Sequence, residues 1–325
     1  MKTKKLLCLV LTALMSLSIL SGCEKKAAPA DIGVGVLKGP TAIGMVRLME
    51  QNESEKAANN YAFTVAGTAD ELSAALIKGD LQFAAVPCNL ASVLYNKTEG
   101  KIKMLAINTL GVLYIVEAGN SVQTLSDLKG KTIYSTGKGT TPEFTLRYLL
   151  KSAGIDPDKD VTIEYKSEAT EIASLLSGAS EGIAMLPQPY VTTVTMNNSN
   201  IRIALNVTEE WEKLNSGSTV VTGVIVGNSD FIDKNPDAVK SFLDEYRAST
   251  EYANTHIDET AALVEYFNIF KAAVAKKAIP YCNIVCITGS DMKTKAGAYL
   301  KVLFDGQPSS VGGTLPDENL YFLQK

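Results

Sequence analysis

Residues 137–143, GKGTTPE, set two glycines around a lysine, followed by two threonines, a proline and a carboxylate. Such a stretch can hold an anion: glycines let backbone amides approach, and a helix starting at the proline points its positive end at the guest. It is not a Walker A loop, because Lys138 sits between the glycines, where that motif needs Ser or Thr after the lysine. TIYS (132–135) reads as a short buried strand, and Thr141, Pro142 and Glu143 read as N-cap, N1 and first turn of a helix running to Gly154. The same stretch also serves as a plain βα turn that uses glycine for positive φ.

A second copy lies a hundred residues upstream. Lys38, Gly39 and Thr41 of LKGPTA match Lys138, Gly139 and Thr141, and residues 69–89 overlay 169–189 through Ala69/Ala169, Glu71/Glu171, Leu76/Leu176, Ala84/Ala184 and Pro87/Pro187. Each copy reads as strand, glycine turn, helix, strand, helix, strand and a proline turn. Two α/β lobes follow. Ligands of open parallel sheets sit beyond the carboxyl ends of strands, so four turns are candidate binding elements: Gly39, Pro40, Thr41 and Ala42; Pro87, Cys88 and Asn89; Gly137, Lys138, Gly139, Thr140 and Thr141; Pro187, Gln188, Pro189 and Tyr190. Lys38 and Lys138 favour an acceptor-rich or anionic ligand if they point inward, and do nothing if they point into solvent. Tyr190 and Tyr95 are candidates to stack on a planar ring.

Nothing else carries chemistry. The sole histidine, His256, lies in a surface-helix context, so neither a zinc site nor a Ser-His-Asp or Cys-His nucleophile is expected, and no catalytic residue, metal or cofactor. Cys88, Cys282 and Cys286 are too few for a disulfide framework; the last two are four apart and could share a helix face. Trp211, in TEEWEKL, reads as a peripheral helix residue.

Lys2, Lys4 and Lys5 precede an apolar run that ends in LSGC at Cys23, which reads as a secretory signal over 1–22. Residues 23–30 then form a flexible tether. Residues 1–22 hold three lysines and no acid, so their removal takes the net charge from −4 to −7, against a nucleic-acid partner. The stretches 110–119 and 217–229 are extended and β-branched and read as two crossings between the lobes, with helices after 229 returning to the first. This places lobe 1 at 31–112 and 225–325 and lobe 2 at 113–224.

The LSGC lipobox, KGPTA, DLKGKTI (127–133), the segment 139–161, AMLPQPYV (184–191) and the tail 309–322 resemble the substrate-binding lipoproteins of ABC importers in the nitrate/sulfonate/taurine/thiamine-precursor group. The resemblance implies a type II periplasmic-binding-protein fold, two α/β lobes on a two-strand hinge, that traps a small ligand and delivers it to a permease driven by a cytoplasmic ATPase. It also implies a lipid on Cys23, an extracytoplasmic, membrane-anchored location and, with no sign of an oligomer, a monomer. A nitrogen heterocycle or vitamin precursor is the first expectation for the ligand, a sulfonate or carboxylate the next. Many relatives carry glutamate where this chain has Gln188, which weakens any preference for a cation. Two alternatives share the fold: a sensory binding protein that docks to a receptor, and a pyrimidine-precursor synthase, whose cysteine-rich segment and iron-binding histidine are not visible here.

Overall fold

The computed structural model describes residues 28–215 and 217–323. The signal peptide, Cys23 and residues 23–27 of the tether fall outside the described residues. The first half runs β1 (Asp31–Leu37), a single helical turn α1 (Pro40–Ile43), α2 (Val46–Glu53), β2 (Asn60–Ala66), α3 (Ala69–Lys78), β3 (Phe83–Pro87), α4 (Cys88–Lys97), β4 (Ile102–Thr109) and β5 (Leu113–Ala118). The second half follows the same plan: β6 (Thr132–Ser135), α5 (Thr141–Ser152), β7 (Thr162–Tyr165), α6 (Ala169–Ser177), β8 (Gly182–Pro187), α7 (Tyr190–Asn197), β9 (Ile201–Asn206), α8 (Val207–Leu214) and β10 (Gly223–Asn228). The chain closes with α9 (Ser229–Lys234), α10 (Pro236–Thr255), α11 (Ile257–Tyr266), α12 (Ala272–Ala278), β11 (Ile284–Ile287) and α13 (Gly289–Gly306).

Local chemistry accounts for these boundaries. FAAVP of β3 is buried throughout, as befits a strand covered on both faces. Asp70 and Glu71 meet the positive end of α3, and Gly79 stops it in the left-handed conformation at φ 86°. At α5 the N-cap is Thr140, one residue earlier than the sequence indicates, and Pro142 occupies the second helical position, where its missing N–H costs no intrahelical bond.

The strands form a six-stranded sheet, β11-β4-β10-β3-β1-β2, and a five-stranded one, β7-β6-β8-β5-β9. Apart from β11 the two orders match. β1 pairs parallel with β2 and β3, as β6 does with β7 and β8. The strand beyond β3 or β8 is antiparallel in each sheet: β10 in the first, β5 in the second. Both arrive from the other half of the chain. The expected crossings are therefore shorter than 110–119 and 217–229, because most of each stretch is an interior strand. Only residues 110–112 and the segment ahead of Gly223 pass between sheets, and Gly223 and Val224 already pair with Pro87 and Val86. The return to the first lobe thus precedes residue 223 rather than following 224.

The lobes are not packed independently. Leu146, Leu149 and Leu150 of α5 join Tyr299 and Leu303 of α13 in one apolar cluster that reaches both sheets. The Thr145 hydroxyl and Tyr299 hydroxyl lie 2.6 Å apart within it. Trp211 belongs to the same cluster and is fully buried, with ring centroids 4.8 Å from Tyr148 and 5.0 Å from Tyr299, so it is a core residue and not a peripheral one. Cys282 and Cys286 do not share a helix. Cys282 is buried after a short 3-10 turn and Cys286 stands in β11, because Pro280 and the β-branched IVCI run favour extended backbone.

Candidate functional site

A cavity of about 400 Å³ lies at the junction of the two lobes. It is built from post-strand turns. Lys38, Gly39, Pro40 and Thr41 follow β1, Gly67, Thr68, Ala69 and Asp70 follow β2, and Pro87 ends β3. From the second lobe come Thr136, Gly137, Lys138 and Thr140 after β6, Lys166, Ser167, Glu168 and Ala169 after β7, and Pro187 with Tyr190 after β8. Leu37, Val86 and Pro142, with Thr109, Val112, Leu113, Thr222 and Gly223 at or beside the passage between sheets, complete the lining.

Nine of the sixteen residues expected from sequence line this cavity: Gly39, Pro40, Thr41, Pro87, Gly137, Lys138, Thr140, Pro187 and Tyr190. The other seven do not, each for a structural reason. Ala42 and Cys88 are buried in the apolar core. Gly139 is exposed, outside the lining residues, with φ 78°, and its amide donates to Glu143 Oε2 at 2.6 Å. Asn89 and Thr141 are fully buried and bond to each other, Thr141 Oγ1 donating to Asn89 Oδ1 at 3.2 Å. Gln188 is buried and its carbonyl accepts from the Thr192 amide at 3.2 Å and the Thr192 hydroxyl at 2.8 Å, so it caps α7. Pro189, also buried, follows it through a cis peptide bond and serves as the N-cap residue of α7. Tyr95 likewise faces away, donating to Asp317.

Two turns escaped the sequence reading, 67–70 and 166–169. They occupy equivalent places after β2 and β7, and the Ala69/Ala169 match already marked them. Phe270 was also missed. It stands between α11 and α12 and meets Tyr190 of the second lobe edge-on, with ring centroids 5.0 Å apart. Lys38 Nζ lies 6.0 Å from the centre of the same ring.

The charges gather on the turns: Lys38, Lys138 and Lys166 against Asp70 and Glu168. Lys166 pairs with Glu164 at 3.4 Å. Lys138 Nζ lies 5.9 Å from the centre of the Tyr165 ring. Burial, with Glu168 nearby, pushes the Tyr190 phenol up to about 12, so it is a neutral hydroxyl. Burial raises the thiols of Cys88 and Cys282 far above the usual range and that of Cys286 to about 11. Among the described residues no group of three metal-ligating side chains converges.

Asn89 joins three segments. Its amide donates to Ser310 O of the C-terminal tail at 2.8 Å and to Gly139 O of the second lobe at 3.3 Å, while its carbonyl accepts from Thr141. At the crossing, the Asn283 side-chain amide donates to Gly111 O, and Leu110 N donates to Asn283 O at 3.1 Å.

The comparisons agree with this architecture. The model of the family described as NMT1/THI5 like matches residues 100–260. A Brucella abortus protein named as a binding protein is 23% identical over 194 residues, 59% of this chain and 57% of its own length, so the chain spans little more than half of that relative. Among solved structures, an ABC transporter protein from Parabacteroides distasonis superposes with a TM-score of 0.74 at 26% identity, over 92% of this chain and 100% of the other. The periplasmic aliphatic sulphonate binding protein SsuA of Escherichia coli gives 0.71 at 13% identity, over 91% and 93%. Residues 100–260 are thus similar to the NMT1/THI5-like family, and the chain as a whole has the two-lobed fold of the periplasmic binding proteins of ABC transporters.

Proposed function

We propose that this chain is an extracytoplasmic solute-binding protein that traps a small organic molecule between its lobes and delivers it to an ABC permease driven by a cytoplasmic ATPase. One observation carries the reading: equivalent turns of two sheets with the same strand order enclose a single cavity of about 400 Å³. That volume lies in the range of small-molecule sites. Residues 31–112 with 223–323 form one lobe and 113–222 the other, closing about the two crossings. The ligand's contribution is differential: it contacts both lobes only when they are together, and so shifts the population toward the closed form. Apolar walls from Val86, Val112, Leu113 and Pro187, with Tyr190 beside them, favour a nitrogen heterocycle or vitamin precursor. The three lysines make a sulfonate or carboxylate the next choice. A lipid on Cys23 holds the protein at the membrane.

The test is a thermal-shift screen of the folded domain against nucleobases, vitamin precursors, sulfonates and amino acids. A ligand at a hundred times its Kd stabilises the folded state by about 2.7 kcal/mol, which raises Tm by several degrees. A full panel that leaves Tm unmoved overturns the reading.

A further inference from the structure

Unmet hydrogen-bonding capacity is concentrated where the chain passes between the lobes. Among the described residues, eight buried side-chain polar atoms have no hydrogen-bond partner, and five of them belong to Asn108, Thr109, Thr208 and Thr222. Asn108 and Thr109 end β4 just ahead of the first crossing, Thr208 lies in the first turn of α8, and Thr222 lies in the second crossing. The other three atoms are scattered, on Tyr165, Thr260 and Ser310. The two crossings are tied together, the Thr222 amide donating to the Thr109 carbonyl at 3.1 Å.

Each crossing carries a glycine pressed against one of the unmet groups. A Cβ on Gly111 would overlap Thr208 Oγ1, and one on Gly223 would stand 2.5 Å from Asn108 Oδ1. Neither glycine has positive φ, so what each supplies is close approach. The packing shuts water out: Asn108 is fully buried and Thr109 is 1% exposed. The unpaired atoms have essentially no accessible surface, so they do not reach a guest in the cavity, although Thr109 and Thr222 form part of its wall. Buried polar groups in folded proteins are nearly always paired, because stranding one forfeits its hydrogen bonds to water. The lobes here are together, with Gly67 against Glu168 and Tyr190 against Phe270. Rotating them apart changes the backbone torsions at the crossings and opens the floor of the cleft to water.

We propose that Asn108, Thr109, Thr208 and Thr222 are positioning residues that set the balance between open and closed lobes. Stranded when the lobes are together and hydrated when they are apart, they disfavour the closed form until a ligand supplies contacts to both lobes. A molecule that touches only one lobe then leaves the cleft open, since it has no differential affinity for the closed form. The four residues act through the crossings and need no contact with the ligand. Their role rests on the lobe closure proposed above.

The experiment measures lobe separation with no ligand added. Ala74→Cys and Ser174→Cys, at exposed and equivalent positions on α3 and α6, carry nitroxide labels in a Cys286→Ser background, and double electron–electron resonance reads the distance between them. The hinge of the labelled protein is compared with three variants: Thr109→Val combined with Thr222→Val, Asn108→Leu, and Thr109→Ser. The native hinge shows two distances with the longer one predominant. The double valine variant and Asn108→Leu, which replace stranded polar groups by apolar ones of similar shape, each move the long-to-short ratio at least fivefold toward the short distance. Thr109→Ser, which keeps a hydroxyl, stays within twofold of the native ratio. Two distances whose ratio is unchanged, or moves toward the long one, in both apolar variants overturn this role and leave the cleft reading standing. One fixed distance in every protein overturns lobe closure and this inference with it.

Discussion

Glu168, at the head of α6 in the second lobe, lies directly against Gly67 of the first: a Cβ added at Gly67 would stand 2.6 Å from Glu168 Oε1 and 2.9 Å from its Cδ. Gly67 is not among the glycines at positive φ, so its value here is close approach and not backbone freedom. Glu168 is not free to swing aside, because it accepts from the Thr170 hydroxyl at 3.0 Å and from the Glu171 amide in a capping box. Gly67→Ala should therefore prop the lobes apart. We expect about tenfold weaker ligand binding, equivalent to about 1.4 kcal/mol, a larger radius of gyration in the bound state by small-angle scattering, and little change in the ligand-free Tm. Wild-type compactness in the bound variant would count against the contact.

Asn89→Ala removes the amide shared by Ser310, Gly139 and Thr141. Stranding a buried partner costs about 1–3 kcal/mol. Urea unfolding should show a loss in the upper part of that range. A loss below about 0.5 kcal/mol would mean that the tail and the loop are held by other contacts.

Phe270→Ala deletes the aromatic contact that closes Tyr190 against the first lobe. Such pairs contribute about 0.5–1.5 kcal/mol beyond area burial. Stopped-flow release should accelerate roughly threefold to tenfold, with association changed less. An unchanged off-rate would remove Phe270 from the closed form.

Glu117 is one of the carboxylates that make the second lobe sensitive to acid. Burial pushes its carboxyl up, but the Ser121 hydroxyl, the Val122 and Ser121 amides and Arg202 outweigh this and hold it below its ordinary 4.5. The folded state thus binds the proton less readily than the unfolded chain. The resulting stability is present above pH 4.5 and is lost as pH falls through the folded-state value. Glu117→Gln should cost about 2–3 kcal/mol at pH 7 and flatten the fall in Tm between pH 5 and 3 (about the range of carboxylate titration). A parallel pH–Tm profile would exclude it.

The doubled plan was legible because glycine, proline and short apolar runs punctuate both copies at the same spacing, and these determine strand ends and helix starts locally. What was missed depends on contacts distant in sequence. TEEWEKL surrounds Trp211 with charge, and only Tyr148 and Tyr299, brought in by α5 and α13, make it core. Ala42, Cys88 and Thr141 sit in the right turns, yet each lies where its helix turns inward, so proximity to the cleft did not mean access to it. Thr109 and Thr222 line the cleft yet carried no signal, since only the placement of the two crossings brings them to it.

The two sheets also share an unusual debt. Residues 31–118 supply β1 to β5 and residues 132–228 supply β6 to β10, but β5 and β10 each lie in the interior of the sheet built by the opposite half. The chain is a strand-exchanged doublet. Either half made alone would lack a central strand and bare two rows of backbone donors and acceptors, which a second copy of that half satisfies only by reciprocal exchange, turning one polypeptide into a swapped dimer.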